Sequence, residues 1–135
     1  MSAATPEVPV SWGELVDKIT ILEIKAERIA DPQKLAHVRD ELQRLRAVLA
    51  RAGGLSPEAL AVQGDLRAIN EQLWEVEDAI RACERTRDFG DAFIALARSV
   101  YQLNDRRFLC KRRINELAGS ALFEEKSYDD DRDGG

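Results

Sequence analysis

Four stretches of this chain repeat apolar residues at alternating steps of three and four, and that spacing allows little but helices packed on helices. The first seam runs Trp12, Leu15, Ile19, Leu22, Ala26 and Ile29, and the second Leu35, Val38, Leu42, Leu45, Leu49 and Ala52. The third, Ala59 through Leu66, Leu73 and Ile80 to Cys83, and the fourth, Phe89 through Leu96 and Leu103 to Leu117, are longer. Start and stop signals fall between them. Ser11 stands three residues before Glu14 as a capping box, and Asp31-Pro32 and Ser56-Pro57 each put a cap before a proline at the first helical position. Gly53-Gly54 and Gly119 are stops. Strand patterning is confined to the short Val8-Pro9-Val10 lead-in.

The spacing predicts an all-α fold: an antiparallel bundle of four helices, two short and two long, with coiled-coil-like packing. The helices are expected at about 11–30, 32–52, 57–85 and 89–118, in one domain over 1–123, followed by an acidic, disordered tail over 124–135. A pair of helical hairpins that complete their core only in a dimer fits the same pattern. Because the third and fourth helices are longer, their hairpin should project past the first two near residues 80–95.

With 135 residues there is room for one hydrophobic core. No apolar run approaches the ~18–20 residues needed to span a bilayer. The N-terminus lacks the basic start and apolar stretch of a secretory signal, so the chain is assigned to the cytoplasm. Membrane insertion is not expected. Six acids after residue 123 carry most of the net charge of −5, which leaves the body near neutral and argues against nucleic-acid binding. In an antiparallel register, Cys83 and Cys110 lie too far apart to bridge.

Catalytic signatures are missing. The single histidine, His37, has no Glu-x-x-His spacing, and there is no glycine-rich phosphate loop or nucleophile elbow. No metal, cofactor or catalytic residue is assigned, and the chain reads as a non-enzyme. Arg107 is the exception to the apolar seams: it must find an acid or reach out to solvent, and Glu23 is one candidate partner. A buried ion pair that fixes helix register is the simpler reading of Arg107. The other is a site for a small anionic ligand formed by Glu23, Lys25, Asn104, Arg106, Arg107 and Lys111. The acids of the third helix and the bases of the fourth are expected to pair with each other, Glu77 with Arg98 for instance.

Several large apolar residues fall outside the seams: Ile21 and Ile24 on the first helix, Trp74 on the third, and Ile94, Tyr101 and Phe108, spaced seven apart, on the fourth. A helix with two apolar stripes is buried on two sides. Either one bundle is wide enough to cover both stripes, or these six residues are the candidate interface of a homodimer or of a contact with another protein.

Four segments carry a resemblance: Val8-Pro9-Val10-Ser11-Trp12-Gly13-Glu14-Leu15 running into Asp17-Lys18-Ile19-Thr20-Ile21-Leu22-Glu23-Ile24-Lys25; Leu73-Trp74 with Glu77-Asp78 and Ile80-Arg81; Val100-Tyr101 with Asn104-Asp105-Arg106; and Glu124-Glu125-Lys126-Ser127-Tyr128. Together they resemble an uncharacterised family of small helical bacterial proteins, a domain of unknown function. The resemblance implies no activity. It implies surroundings among surface-polysaccharide and glycosyl-transfer pathways, and with them an accessory role. The alternative is a small helical enzyme or a bundle that binds an anionic ligand.

Overall fold

In the computed structural model residues 4–127 are described, and they form four helices with no strand among them. Helix α1 is Trp12–Arg28, α2 Pro32–Arg51, α3 Pro57–Thr86 and α4 Asp91–Ala118. The caps sit where the local chemistry demands. Ser11 Oγ accepts the Glu14 N–H at 3.1 Å, Asp31 Oδ2 that of Lys34 at 2.9 Å, and Ser56 Oγ that of Ala59 at 3.2 Å. Gly119 closes α4 with φ 69°, a left-handed turn that glycine adopts without steric cost. Arg87, at φ 55°, closes α3, so the turn extends to Phe89 and α4 begins two residues later than the apolar pattern alone indicates. Tyr128 and the acids beyond it lie outside the described residues.

Helix α1 is the centre of the structure. It touches α2, α3 and α4, whereas α2 touches α1 alone. One face of α1 places Leu15, Ile19 and Leu22 against Leu42, with Val38, Leu45 and Leu49 of α2 around them. The opposite face carries Val16 into a cluster with Leu66 of α3 and Ile114 of α4, which Trp12, Val62 and Cys110 border. Between residues 11 and 26 only Lys18 is exposed. A helix apolar or small on nearly every side has to be covered on nearly every side, and burying each large aliphatic residue is worth roughly 1.5–3 kcal/mol. Ile24, at 2% exposure, lies in this core.

The α3–α4 hairpin behaves differently along its length. Its buried residues are Ala59, Leu66, Ile69 and Asn70 on α3 and Leu103, Lys111, Ile114 and Asn115 on α4. From residue 71 to residue 102 nothing is buried. The seam side chains Val76, Ile80, Cys83, Phe93 and Leu96 stay half-exposed there, and Phe89 meets Phe93 edge-to-face at 5.3 Å. Cys83 and Cys110 are free thiols. No described helix is long and apolar enough to cross a membrane.

Candidate functional site

The first turn of α1 is held by the far end of α4. The Gly13 N–H donates to Asn115 Oδ1 at 2.6 Å, and that of Trp12 to Ser120 Oγ at 3.4 Å. These are backbone donors that a helix N-terminus leaves without partners of its own. The helices approach so closely here that a Cβ on Gly13 would lie 2.3 Å from the Lys111 carbonyl oxygen.

One turn further on, Asp17 is fully buried and organises its neighbours. Its Oδ1 accepts from Asn70 Nδ2 at 3.0 Å and from Arg107 Nε at 2.9 Å, and its Oδ2 accepts from Arg107 Nη2. Thr20 Oγ1 donates to the Asp17 carbonyl at 2.8 Å and accepts from Asn70 Nδ2 at 2.9 Å. Arg107 Nη1 donates to Asn104 Oδ1 at 3.3 Å. The hydrogen bonds to Asp17 raise the Arg107 pKa further, against the opposing effect of burial. Lys111 lies beside this cluster, 8% exposed along its side chain, within 2.9 Å of Glu14 and 2.6 Å of Glu124. Burial works against its charge, but hydrogen bonds to Glu124 and Glu14 outweigh it and the pKa is raised.

Above Asn70 and Arg107 a groove of about 380 Å³ opens between α1, α3 and α4. Ile21, Leu73 and Trp74 form apolar walls, and Lys25, Glu77, Asp78 and Arg81 stand around the rim. The Arg28 guanidinium lies 5.8 Å from the centre of the Trp74 ring and also pairs with Glu75.

Of the residues expected to hold an anion, the groove brings together Lys25, Asn104 and Arg107. The other three lie elsewhere. Glu23 faces Arg46 at 2.6 Å and Arg67 at 3.3 Å, Lys111 is enclosed by Glu14 and Glu124, and Arg106 is exposed on α4. The partner of Arg107 is Asp17 rather than Glu23, because the face of α1 toward α4 is the one carrying Gly13 and Asp17. Charges on α3 and α4 do not pair with each other among the described residues. Glu71 accepts from Arg67 on its own helix, and the cations of α4 reach α1, their own helix or residues 124 and 125. The line of contact between the two long helices is the apolar seam, which leaves their charged residues on the flanks.

The expected interface residues divide as well. Ile24 is buried within the chain, while Ile21 and Trp74 are half-buried in the groove. Ile94 and Tyr101 stand open at 51% and 55% exposure. Phe108 is half-buried, with Lys126 Nζ 5.1 Å from its ring. Asp17, Thr20 and Asn70 were not singled out by the sequence. The available signal was the all-round burial implied for α1, whose polar residues at 17 and 20 would then need buried partners. Among the described residues no group of His, Cys, Asp or Glu is placed to hold a metal ion.

Residues 6–132 match a family described as a family of unknown function (DUF6165). No curated protein and no solved structure matches the chain.

Proposed function

The chain belongs to this family of unknown function, and we propose that it is a non-enzymatic helical interaction protein that pairs with a second copy through its α3–α4 hairpin. The observation that carries this reading is the stretch from 71 to 102, where a continuous apolar seam is never buried in one copy. Two-helix hairpins without a further layer leave half of each seam in water, and each large side chain so left forgoes roughly 1.5–3 kcal/mol. Phe89 at 51% exposure, Ile94 at 51% and Tyr101 at 55% continue the apolar surface onto the outer face of α4. Glu77, Asp78 and Glu84 alternate with Arg81 and Arg85 on the same hairpin, and none has an ion pair among the described residues. A two-fold contact would set the acids of one copy against the bases of the other.

The antiparallel, coiled-coil-like arrangement belongs to the same reading. In its support, Gly13 meets Asn115 and Asp17 meets Arg107, so numbers rise along α1 as they fall along α4. A single domain over 1–123, a cytoplasmic setting and an accessory role near surface-polysaccharide assembly complete the proposal; the last rests on the family resemblance alone. The anionic-ligand alternative carries less weight. Glu23 and Lys111 are engaged with other side chains and Arg106 is exposed, so the six residues do not assemble into one site.

Sedimentation equilibrium tests the assembly. A dimer is expected for the wild type, and a soluble monomer for Ile94→Glu with Tyr101→Glu. A wild type that stays monomeric at high micromolar concentration overturns it.

A further inference from the structure

The groove above Asp17 has a chemistry of its own: its rim at Glu77, Asp78 and Arg81 belongs also to the proposed pairing surface, but its floor at Asn70 and Arg107 lies outside the 71–102 stretch. Its floor is made by two side chains that converge on a single buried oxygen, Asp17 Oδ1: Asn70 Nδ2 at 3.0 Å and Arg107 Nε at 2.9 Å. Because a carboxylate oxygen can only accept, the Asn70 amide has to turn its nitrogen inward, and Thr20 Oγ1 holds it there at 2.9 Å. Among the described residues its Oδ1 takes part in no hydrogen bond, and because no buried side-chain polar atom is left unsatisfied, that oxygen is open to the groove that Asn70 lines. An acceptor whose one opening is the groove can take a donor from a molecule bound there, in place of water.

Arg107 lines the same groove and shares the acceptor Asp17 Oδ1 with Asn70. Nε and Nη2 each give one hydrogen to Asp17, and Nη1 gives one to Asn104. One N–H on each Nη remains, which matches the two oxygens of a carboxylate. The floor therefore offers a lone acceptor next to a forked donor.

Charge narrows the choice further. Lys25, Arg81 and Arg107 are matched by Glu77, Asp78 and the Asp17 beneath them, so the surroundings are balanced. A simple anion would gain nothing from the net field. A ligand with an ammonium and a carboxylate on one carbon meets both halves of the floor, and its remainder would lie against Ile21, Leu73 and Trp74. We propose that this groove binds a small zwitterion of the α-amino acid class with an apolar side chain, ammonium on Asn70 Oδ1 and carboxylate on Arg107.

The test discriminates on the ligand side, so no variant has to fold. Proton–nitrogen correlation spectra of the full chain would be recorded with L-leucine or L-phenylalanine added up to tens of millimolar. The Asn70 side-chain amide and the Trp74 indole should shift saturably, while the Trp12 indole, in the core beside Val16, should not. N-acetyl-leucine, which lacks the ammonium, and leucine methyl ester, which lacks the carboxylate, should each bind about tenfold more weakly or worse. The proposal is overturned if neither resonance moves, if sodium acetate alone reproduces the shifts, or if N-acetyl-leucine binds as well as leucine. The two proposals share rim residues but fail separately: a monomer in sedimentation still leaves the floor at Asn70 and Arg107 to be titrated, and a failed titration does not change the sedimentation result.

Discussion

Asp17 and Arg107 face each other across 90 residues of sequence, with both carboxylate oxygens taken by one guanidinium. The acid is 1% exposed along its side chain and the base 28%. Removing Arg107 leaves the buried Asp17 with Asn70 and, at 4.0 Å, Lys111 as its remaining partners, and breaking a buried pair typically costs about 3–5 kcal/mol. Arg107→Ala should therefore lower denaturant-unfolding stability by about that amount, toward the lower end because the guanidinium retains some solvent. Asp17→Leu combined with Arg107→Met should recover a substantial part of the loss. If the single substitution costs no more than an exposed ion pair, below about 1 kcal/mol, the pair does not hold the helices in register.

Gly13→Ala should destabilise, although alanine is the better helix former by about 1 kcal/mol. The added methyl would meet the Lys111 carbonyl oxygen at 2.3 Å and its carbon at 2.8 Å, both backbone atoms with little room to yield. An overpacking penalty of about 1–3 kcal/mol reverses the sign. Thermal melts of the two proteins decide it, and a higher melting temperature for the alanine variant would contradict the close approach.

Alkaline solution should weaken the fold through Lys111. Its pKa is raised above the ordinary 10.5 by Glu124 and Glu14 against the cost of burial. A group held higher in the folded state contributes stability that is complete below its unfolded value and lost as pH climbs through the folded one. Melting temperatures should thus fall above about pH 10.4. Lys111→Met should flatten that decline, and an identical decline in the variant would assign it to other groups.

Hydrogen exchange should grade along the hairpin. Amides of α1 and of the 103–115 portion of α4 should exchange slowest, and those between 79 and 99 faster, because no buried side chain lies over them. In the proposed dimer, raising the protein concentration slows the second group and leaves the first unchanged. Rates in both groups that ignore concentration argue against pairing through the hairpin.

Much of this architecture could be read from the chain because its determinants are local. Ser11, Asp31 and Ser56 cap their helices through backbone groups only three residues away, and such short-range chemistry shows directly in the sequence. The need of Arg107 for an acid was legible for the same reason: a cation on an apolar seam requires one. Which acid it would be was not. Asp17 and Glu23 both lie on α1, and the choice depends on which face of α1 meets α4, set by contacts such as Gly13 with Lys111 and Asn115. The place of α2 was hidden similarly. Its seam at Leu42, Leu45 and Leu49 looks like the others, yet α1 alone covers it, because the second face of α1 has already engaged α3 and α4. Ile24 lies off the first seam of α1, and the sequence does not say whether that second face is covered within the chain or by a partner; α3 and α4 cover it within the chain.

Helix α1 is made first and completed last. During synthesis it emerges long before α4, and until Arg107 arrives Asp17 has no cation and Val16 no Ile114. At elongation rates of about 5–20 residues per second, a gap of 90 residues lasts on the order of 5–20 s. For the first part of that interval, before α3 is complete, α2 is the one finished neighbour available, and its contact with Leu15, Ile19 and Leu22 can shield half of α1 while the other half waits. A helix that looks peripheral in the finished fold is thereby the first shelter of the nascent chain.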